Sequence, residues 1–335
     1  MSDPSTPPPG TPKPLAGLLP DPPDSRDKDM LDLPAIQALA QRPGTLLHSL
    51  GVRAQIVRPP SVSAMGMLQP MAGSAPPLTS LSLRADCGPV QDQGALNACT
   101  AHAAAALMEL VECHLNKRAL QGSRMVLYKV SRNILQWTGD SGAFLRTVAG
   151  ALTLFGLPPE KYWPYDTTLL DTEPTPFCYQ LGQHYHASSY FRIDSDGVAA
   201  QAVIDRIKSL LEQGLPSMFG YIVYFGAEFQ AQASGGIPLP IATDLKVGGH
   251  ALMICGFDDK HVITNTSTGG ATSTGAFQIQ NSRGTGWGDQ GFGYIPYDYF
   301  LQGLATDVWS IVNMDWVNLQ SFDQGPTAPS TGADG

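Results

Sequence analysis

The chain has 335 residues, 43% of them hydrophobic and only 15% charged, with a formal net charge of −9. These proportions fit a compact body rather than a disordered or fibrous chain, and the acidic balance excludes nucleic acid as a main partner, because phosphate backbones need basic clusters. No apolar run approaches the ~20 residues of a membrane span, and the five cysteines, Cys87, Cys99, Cys113, Cys178 and Cys255, have no paired spacing that would suggest a disulfide scaffold.

In chain order, residues 1–30 are rich in Pro and charge and read as a disordered arm. Met1 to Pro9 contain neither an apolar core nor an early positive charge, so no Sec signal is expected. That predicts a cytoplasmic location, or export by a Sec-independent route. Residues 31–80 are more apolar, with one short helical pattern from Leu33 to Ala40, and read as an N-terminal extension.

From Leu81 to about Ser189 the pattern is mostly helical. A Gly-containing turn, Gln93-Gly94, runs into an alanine-rich stretch in which Ala103, Leu107, Leu110, Val111 and His114 share one helical face. Cys99 sits where that helix begins. A second apolar helix is expected from Ser123, and a third carries Leu145, Val148, Leu152 and Phe155 at helical spacing, ended by Gly156 and Pro158. From about Tyr190 the pattern changes. One more helix spans Val198 to Leu211. Short apolar runs then follow at 218–225, 251–257, 276–280 and 308–312, punctuated by Gly and Asp as antiparallel strands are. There is no internal repeat.

Three of these stretches carry chemistry. The unpaired N–H groups and positive dipole end of a helix N-terminus favour a thiolate, which makes Cys99 the candidate nucleophile. Gln93 lies upstream on the turn side. Far downstream come His250, in Gly248-Gly249-His250-Ala251, and Asn281, in Asn281-Ser282-Arg283-Gly284-Thr285-Gly286-Trp287-Gly288. Cys, His, Asn is the order of a thiol nucleophile, its base and the group that orients the base. His102 shares the Cys99 helix at i+3, a spacing that does not turn its ring back to the thiol. No His and Cys spacing reads as a metal site, and no cofactor is expected.

These motifs resemble the papain-like cysteine peptidases. Gln93, Gly94, Cys99, His250, Ala251, Asn281, Ser282, Gly284, Trp287 and Gly288 match the family pattern, and Cys99-Thr100-Ala101 resembles its bacterial branch. The resemblance implies an α+β fold over residues 81–318: a helical subdomain at 81–189, an antiparallel β-barrel subdomain at 190–318, and the active-site cleft between them. A flexible tail would follow at 319–335. It implies hydrolysis of peptide bonds in protein or peptide substrates through a thioacyl-enzyme. Cys99 would be the nucleophile, His250 the base and Asn281 its orienter. Gln93, with the Cys99 backbone N–H, would stabilise the oxyanion. It further implies that Gly142 offers backbone groups to substrate, with Ala143, Phe144, Gly249 and Ala251 beside it. Arg283 stands where the family usually has Trp, and its charge is expected to disfavour a neighbouring imidazolium. Part of the Leu31–Pro77 region is expected to cover the cleft intramolecularly, as in a zymogen, its local concentration raised by tethering. An amidase, deamidase or acyltransferase using the same Cys–His pair, and a catalytically weak binding module, are the competing readings.

Overall fold

The computed structural model describes residues 78–116 and 120–316. The arm at 1–30, the extension as far as residue 77, its short helical pattern and the tail at 319–335 lie outside the described residues.

The chain enters through β1 (Ser80–Ser82) and reaches α1 (Cys99–Asn116). This helix is covered on every side: Ala101, Ala104, Ala105, Leu107, Met108 and Leu110 are fully buried, and so are the polar Thr100, His102, Glu109 and Glu112. A helix apolar nearly all round belongs in a core, and its alanines let neighbouring elements approach closely. Glu109 is tolerated there because Arg124 meets it with two parallel 2.8 Å hydrogen bonds and the Gly122 N–H adds a third at 2.8 Å.

Arg124 opens α2 (Arg124–Ile134), whose N-cap Ser123 accepts the Val126 N–H at 3.2 Å. Next come α3 (Leu145–Leu154), ended as expected at Gly156, and α4 (Pro176–Gly182) with Thr175 as its cap. Then the sheet begins: β2 (Tyr185–Arg192), α5 (Ala200–Glu212), β3 (Ser217–Tyr224), α6 (Phe225–Ser234), β4 (Lys246–Thr264), β5 (Thr272–Gln280), β6 (Phe292–Pro296), α7 (Asp298–Leu301) and β7 (Ala305–Trp316).

The strands are antiparallel in the order β2-β7-β3-β4-β5-β6, and β1 joins β4 at Gly256–Asp258, beyond the end of β3. The α+β class is as expected, but the expected barrel does not form: this is an open sheet with β2 and β6 at its edges. Closure is unnecessary because both edges find other partners. Tyr294 of β6 exchanges hydrogen bonds with Gly235 and Ile237 at 2.8 and 2.9 Å, and at β2 the Tyr185 carbonyl accepts the Leu157 N–H at 2.8 Å. The pattern reading is incomplete in the sheet and the short helices. The apolar run expected to be strand through Phe225 turns helical at that residue, β2 begins at Tyr185 inside the stretch expected to be helical, and β1, β6, α4 and α7 had no pattern that announced them. Helix α1 packs against β4, which brings the cysteine helix to the strand that carries His250.

Candidate active site

Local turn chemistry sets the cysteine. Asp92 Oδ1 accepts the Gly94 N–H at 2.8 Å, and Gly94 takes φ 61°, a left-handed value that suits glycine. The Asn97 N–H and side-chain amide both bond the Asp140 carboxylate, at 2.8 and 3.0 Å. Asp140 also accepts the Tyr128 hydroxyl at 2.7 Å, so α2 helps to hold the turn that aims Cys99. Cys99 is fully buried as the first residue of α1. The backbone N–H groups of Cys99 itself, of Thr100 and of Ala251, the residue after His250, favour its thiolate.

His250 is fully buried on β4, opposite Tyr221 of β3, and the two rings meet edge-on at 5.9 Å. Its Nε2 lies 2.9 Å from Asn281 Oδ1, which also accepts the Ser282 N–H at 2.8 Å. A backbone N–H can only donate, so that atom of Asn281 is the oxygen, and His250 Nε2 must carry the proton. Nδ1 is left with its lone pair and no hydrogen-bond partner.

Gln93 joins the two walls. Its N–H donates to the Ser282 carbonyl at 2.9 Å, its Oε1 accepts the Ser282 hydroxyl at 2.6 Å, and its Nε2 donates to the Leu96 carbonyl at 2.8 Å. A carboxamide nitrogen has two hydrogens, so one remains for another acceptor. Tyr165 adds a bond from its hydroxyl to the Gln93 carbonyl at 2.9 Å. The motif reading passed over Ser282, Tyr165, Tyr128 and Asp140 as supports. Only Ser282 had a signal, its place beside Asn281.

Burial opposes charge on both central groups. It pushes the Cys99 thiol up to about 12, opposed by the surrounding N–H groups and by Arg283. It pulls His250 down to about 3; Arg283 adds to that fall, and the Asn281 bond resists it. The resting site therefore favours a neutral thiol and a neutral imidazole. The expected influence of Arg283 on the imidazole is present, with one addition: Glu228 of α6, itself buried, places Oε1 3.0 Å from Arg283 Nε and accepts the Tyr221 hydroxyl at 3.2 Å. The Trp position thus holds an ion pair whose carboxylate is buried and whose guanidinium is partly exposed.

The expected substrate residues are less uniform. Gly142 takes φ 75°, but its N–H is committed to the Tyr128 hydroxyl at 2.9 Å, so the expectation that it offers this N–H to substrate does not hold. Ala143 is fully buried. Phe144 is half-buried against Trp137, with ring centres 5.6 Å apart. Gly249 and Ala251 pair with Ile222 and Gly220 of β3, on either side of His250.

A helix-borne thiol set against a strand that carries a histidine held by an asparagine defines a thiol-dependent hydrolase. The comparisons with known proteins agree. Residues 79–310 match the papain family cysteine protease profile. The chain belongs to the papain family and is a cysteine peptidase. It is 29% identical over 245 residues to an uncharacterized peptidase C1-like protein of Acanthamoeba polyphaga mimivirus, covering 71% of this chain and 74% of that protein. Xylellain, a cysteine protease from Xylella fastidiosa, superposes with a TM-score of 0.65 at 27% identity, covering 89% of this chain and 96% of its own, in keeping with a bacterial-branch resemblance. Digestive procathepsin L 3 of Tenebrio molitor shares the fold at a TM-score of 0.54 and 17% identity, over 78% of this chain and 75% of its own.

Proposed function

We infer that the chain cleaves peptide bonds with Cys99 as nucleophile, His250 as base and Asn281 as the group that orients it. The supporting observation is the pairing of His250 Nε2–H with Asn281 Oδ1. It leaves the Nδ1 lone pair for the thiol proton, on the strand against which the cysteine helix packs.

As Sγ bonds to the substrate carbonyl carbon, the thiol proton passes to His250 Nδ1. The carbonyl oxygen becomes an oxyanion, received by the Cys99 N–H and the remaining Gln93 Nε2 hydrogen. His250 then returns the proton to the departing amine as the C–N bond breaks, leaving a thioester. Water, deprotonated by His250, releases the acid and restores the thiol. Proton transfer charges both groups together, so each charge stabilises the other where burial penalises either alone.

Cys99→Ser and His250→Ala are expected to lower kcat/KM on a peptide substrate at least ~10³-fold with an unchanged far-ultraviolet circular dichroism spectrum. Near-wild-type turnover in either variant would overturn the assignment. An amidase would instead turn over small amides faster than peptides under the same conditions.

A further inference from the structure

Between α1, the start of α2 and the end of β5 is a cavity of about 10 Å³ that Asn281 helps to line. His102 and Ala106 of α1, Arg124 of α2, Gln280 and Asn281 are among its lining residues. Four polar atoms on these residues have no hydrogen-bond partner in the protein: His102 Nε2, Gln280 Oε1, Asn281 Nδ2 and Arg124 Nε. Their residues are only 3%, 4%, 3% and 2% exposed. Leaving one such group unsatisfied costs about 1–3 kcal/mol, so four on one small cavity call for a common partner.

The other bonds these groups make fix their donor and acceptor roles. His102 Nδ1 lies 3.0 Å from the Ala98 carbonyl, which only accepts, so Nδ1 holds the proton. Burial, aided by the Arg124 charge, brings this imidazole down to about 3 and keeps it neutral, so Nε2 is an acceptor. Gln280 Nε2 donates to the Gly88 carbonyl at 3.2 Å, which leaves Oε1 as a second acceptor. Asn281 Oδ1 is taken by His250 and Ser282, which leaves Nδ2 as a donor. Arg124 spends its terminal nitrogens on Glu109 and Gly122, which leaves Nε–H as a second donor.

Two acceptors and two donors match the valence of one water, and the volume is that of about one water-sized sphere. We propose that this cavity is a binding site for a single buried water that donates to His102 and Gln280, accepts from Asn281 and Arg124, and makes His102 a positioning residue for Asn281. Anchoring Nδ2 opposes a flip of the amide, which would turn NH₂ toward the His250 N–H and lose the bond that sets its tautomer. The consequence for turnover rests on the peptidase reading. The water itself does not.

The test has two arms. A crystal structure of the full chain at about 1.5 Å resolution should show one water in the cavity, about 2.7–3.2 Å from His102 Nε2 and Asn281 Nδ2. No density there, or density out of reach of either atom, overturns the proposal even if the chain proves not to be a peptidase. In the second arm, His102→Leu keeps apolar bulk but removes the acceptor, whereas His102→Gln retains one. His102→Leu should lower kcat roughly 5–30-fold at unchanged KM, a step of about 1–2 kcal/mol, and His102→Gln should recover most of the loss. Equal kcat in Leu, Gln and wild-type proteins would overturn the positioning role. Wild-type protein without peptidase activity would count against the catalytic reading alone, and the density would still decide the water.

Discussion

Two arginines flank the site, one buried and one partly exposed, and they are built differently. On the helical side, Arg124 grips Glu109 through two aligned bonds of 2.8 Å, and both side chains are essentially out of solvent. On the sheet side, Arg283 comes within 3.0 Å of Glu228, but Nε is misaligned for a hydrogen bond and Nη2 also lacks one. Each depresses a histidine, Arg124 acting on His102 and Arg283 on His250. A saturated pair fixes structure. A loosely matched pair leaves residual positive charge, and here that charge falls on the thiol and imidazole together. Arg283 stabilises a thiolate and destabilises an imidazolium, so its influence on their ion pair is divided.

The largest effect should come from breaking the saturated pair. Glu109→Ala strands the Arg124 charge in the core and should cost about 3–5 kcal/mol of stability, read as a lower urea midpoint at unchanged slope. Glu228→Ala should cost less, because Arg283 retains some exposure and is less completely bonded.

The histidines predict how stability depends on pH. Both His102 and His250 fall to about 3 from an ordinary 6.5. Below pH 6.5 the unfolded chain binds protons that the folded chain refuses. The contribution is therefore present above pH 6.5 and is lost as pH falls toward 3, by up to ~1.4 kcal/mol per pH unit for each histidine. Urea unfolding at pH 7 and pH 5 should show the loss, and His102→Gln should remove roughly half of the slope.

Asn281→Ala should reduce kcat/KM less than loss of Cys99 or His250, by roughly 10–10²-fold, because it removes an orienting bond and no proton carrier. The smallest effect sharpens the comparison. Glu228→Gln takes away the counter-charge of Arg283, so the apparent thiol pKa in a pH profile of iodoacetamide alkylation should fall. An unchanged profile would show that Arg283 was already without influence on the sulfur.

The Cys99, His250 and Asn281 stretches and the main helices were legible because each is a local pattern: a turn into an alanine-rich helix, glycines before an apolar strand, an Asn-Ser turn ending in Trp-Gly. What escaped depends on distant partners. Nothing near Glu228 says that it meets Arg283, and nothing near His102 says that Asn281 lies beyond it. Helix α6 was hidden because exposed Phe225 and Phe229 continue the apolar run of β3. The partner of the Gly142 N–H was not legible because Tyr128, which takes it, lies on α2, well upstream in the chain. The open sheet in place of a barrel follows from edge pairing by loops, which strand periodicity does not encode.

Cys99 alone among the five cysteines is expected to be the nucleophile. The most direct measurement is peptide mapping by mass spectrometry of the full-length chain after reaction with an epoxysuccinyl thiol inhibitor. A single adduct on Cys99, lost in His250→Ala while Cys87, Cys113, Cys178 and Cys255 remain unmodified, is the predicted result. An adduct on one of those four with Cys99 unmodified, or labelling of Cys99 that is indifferent to His250, would contradict it.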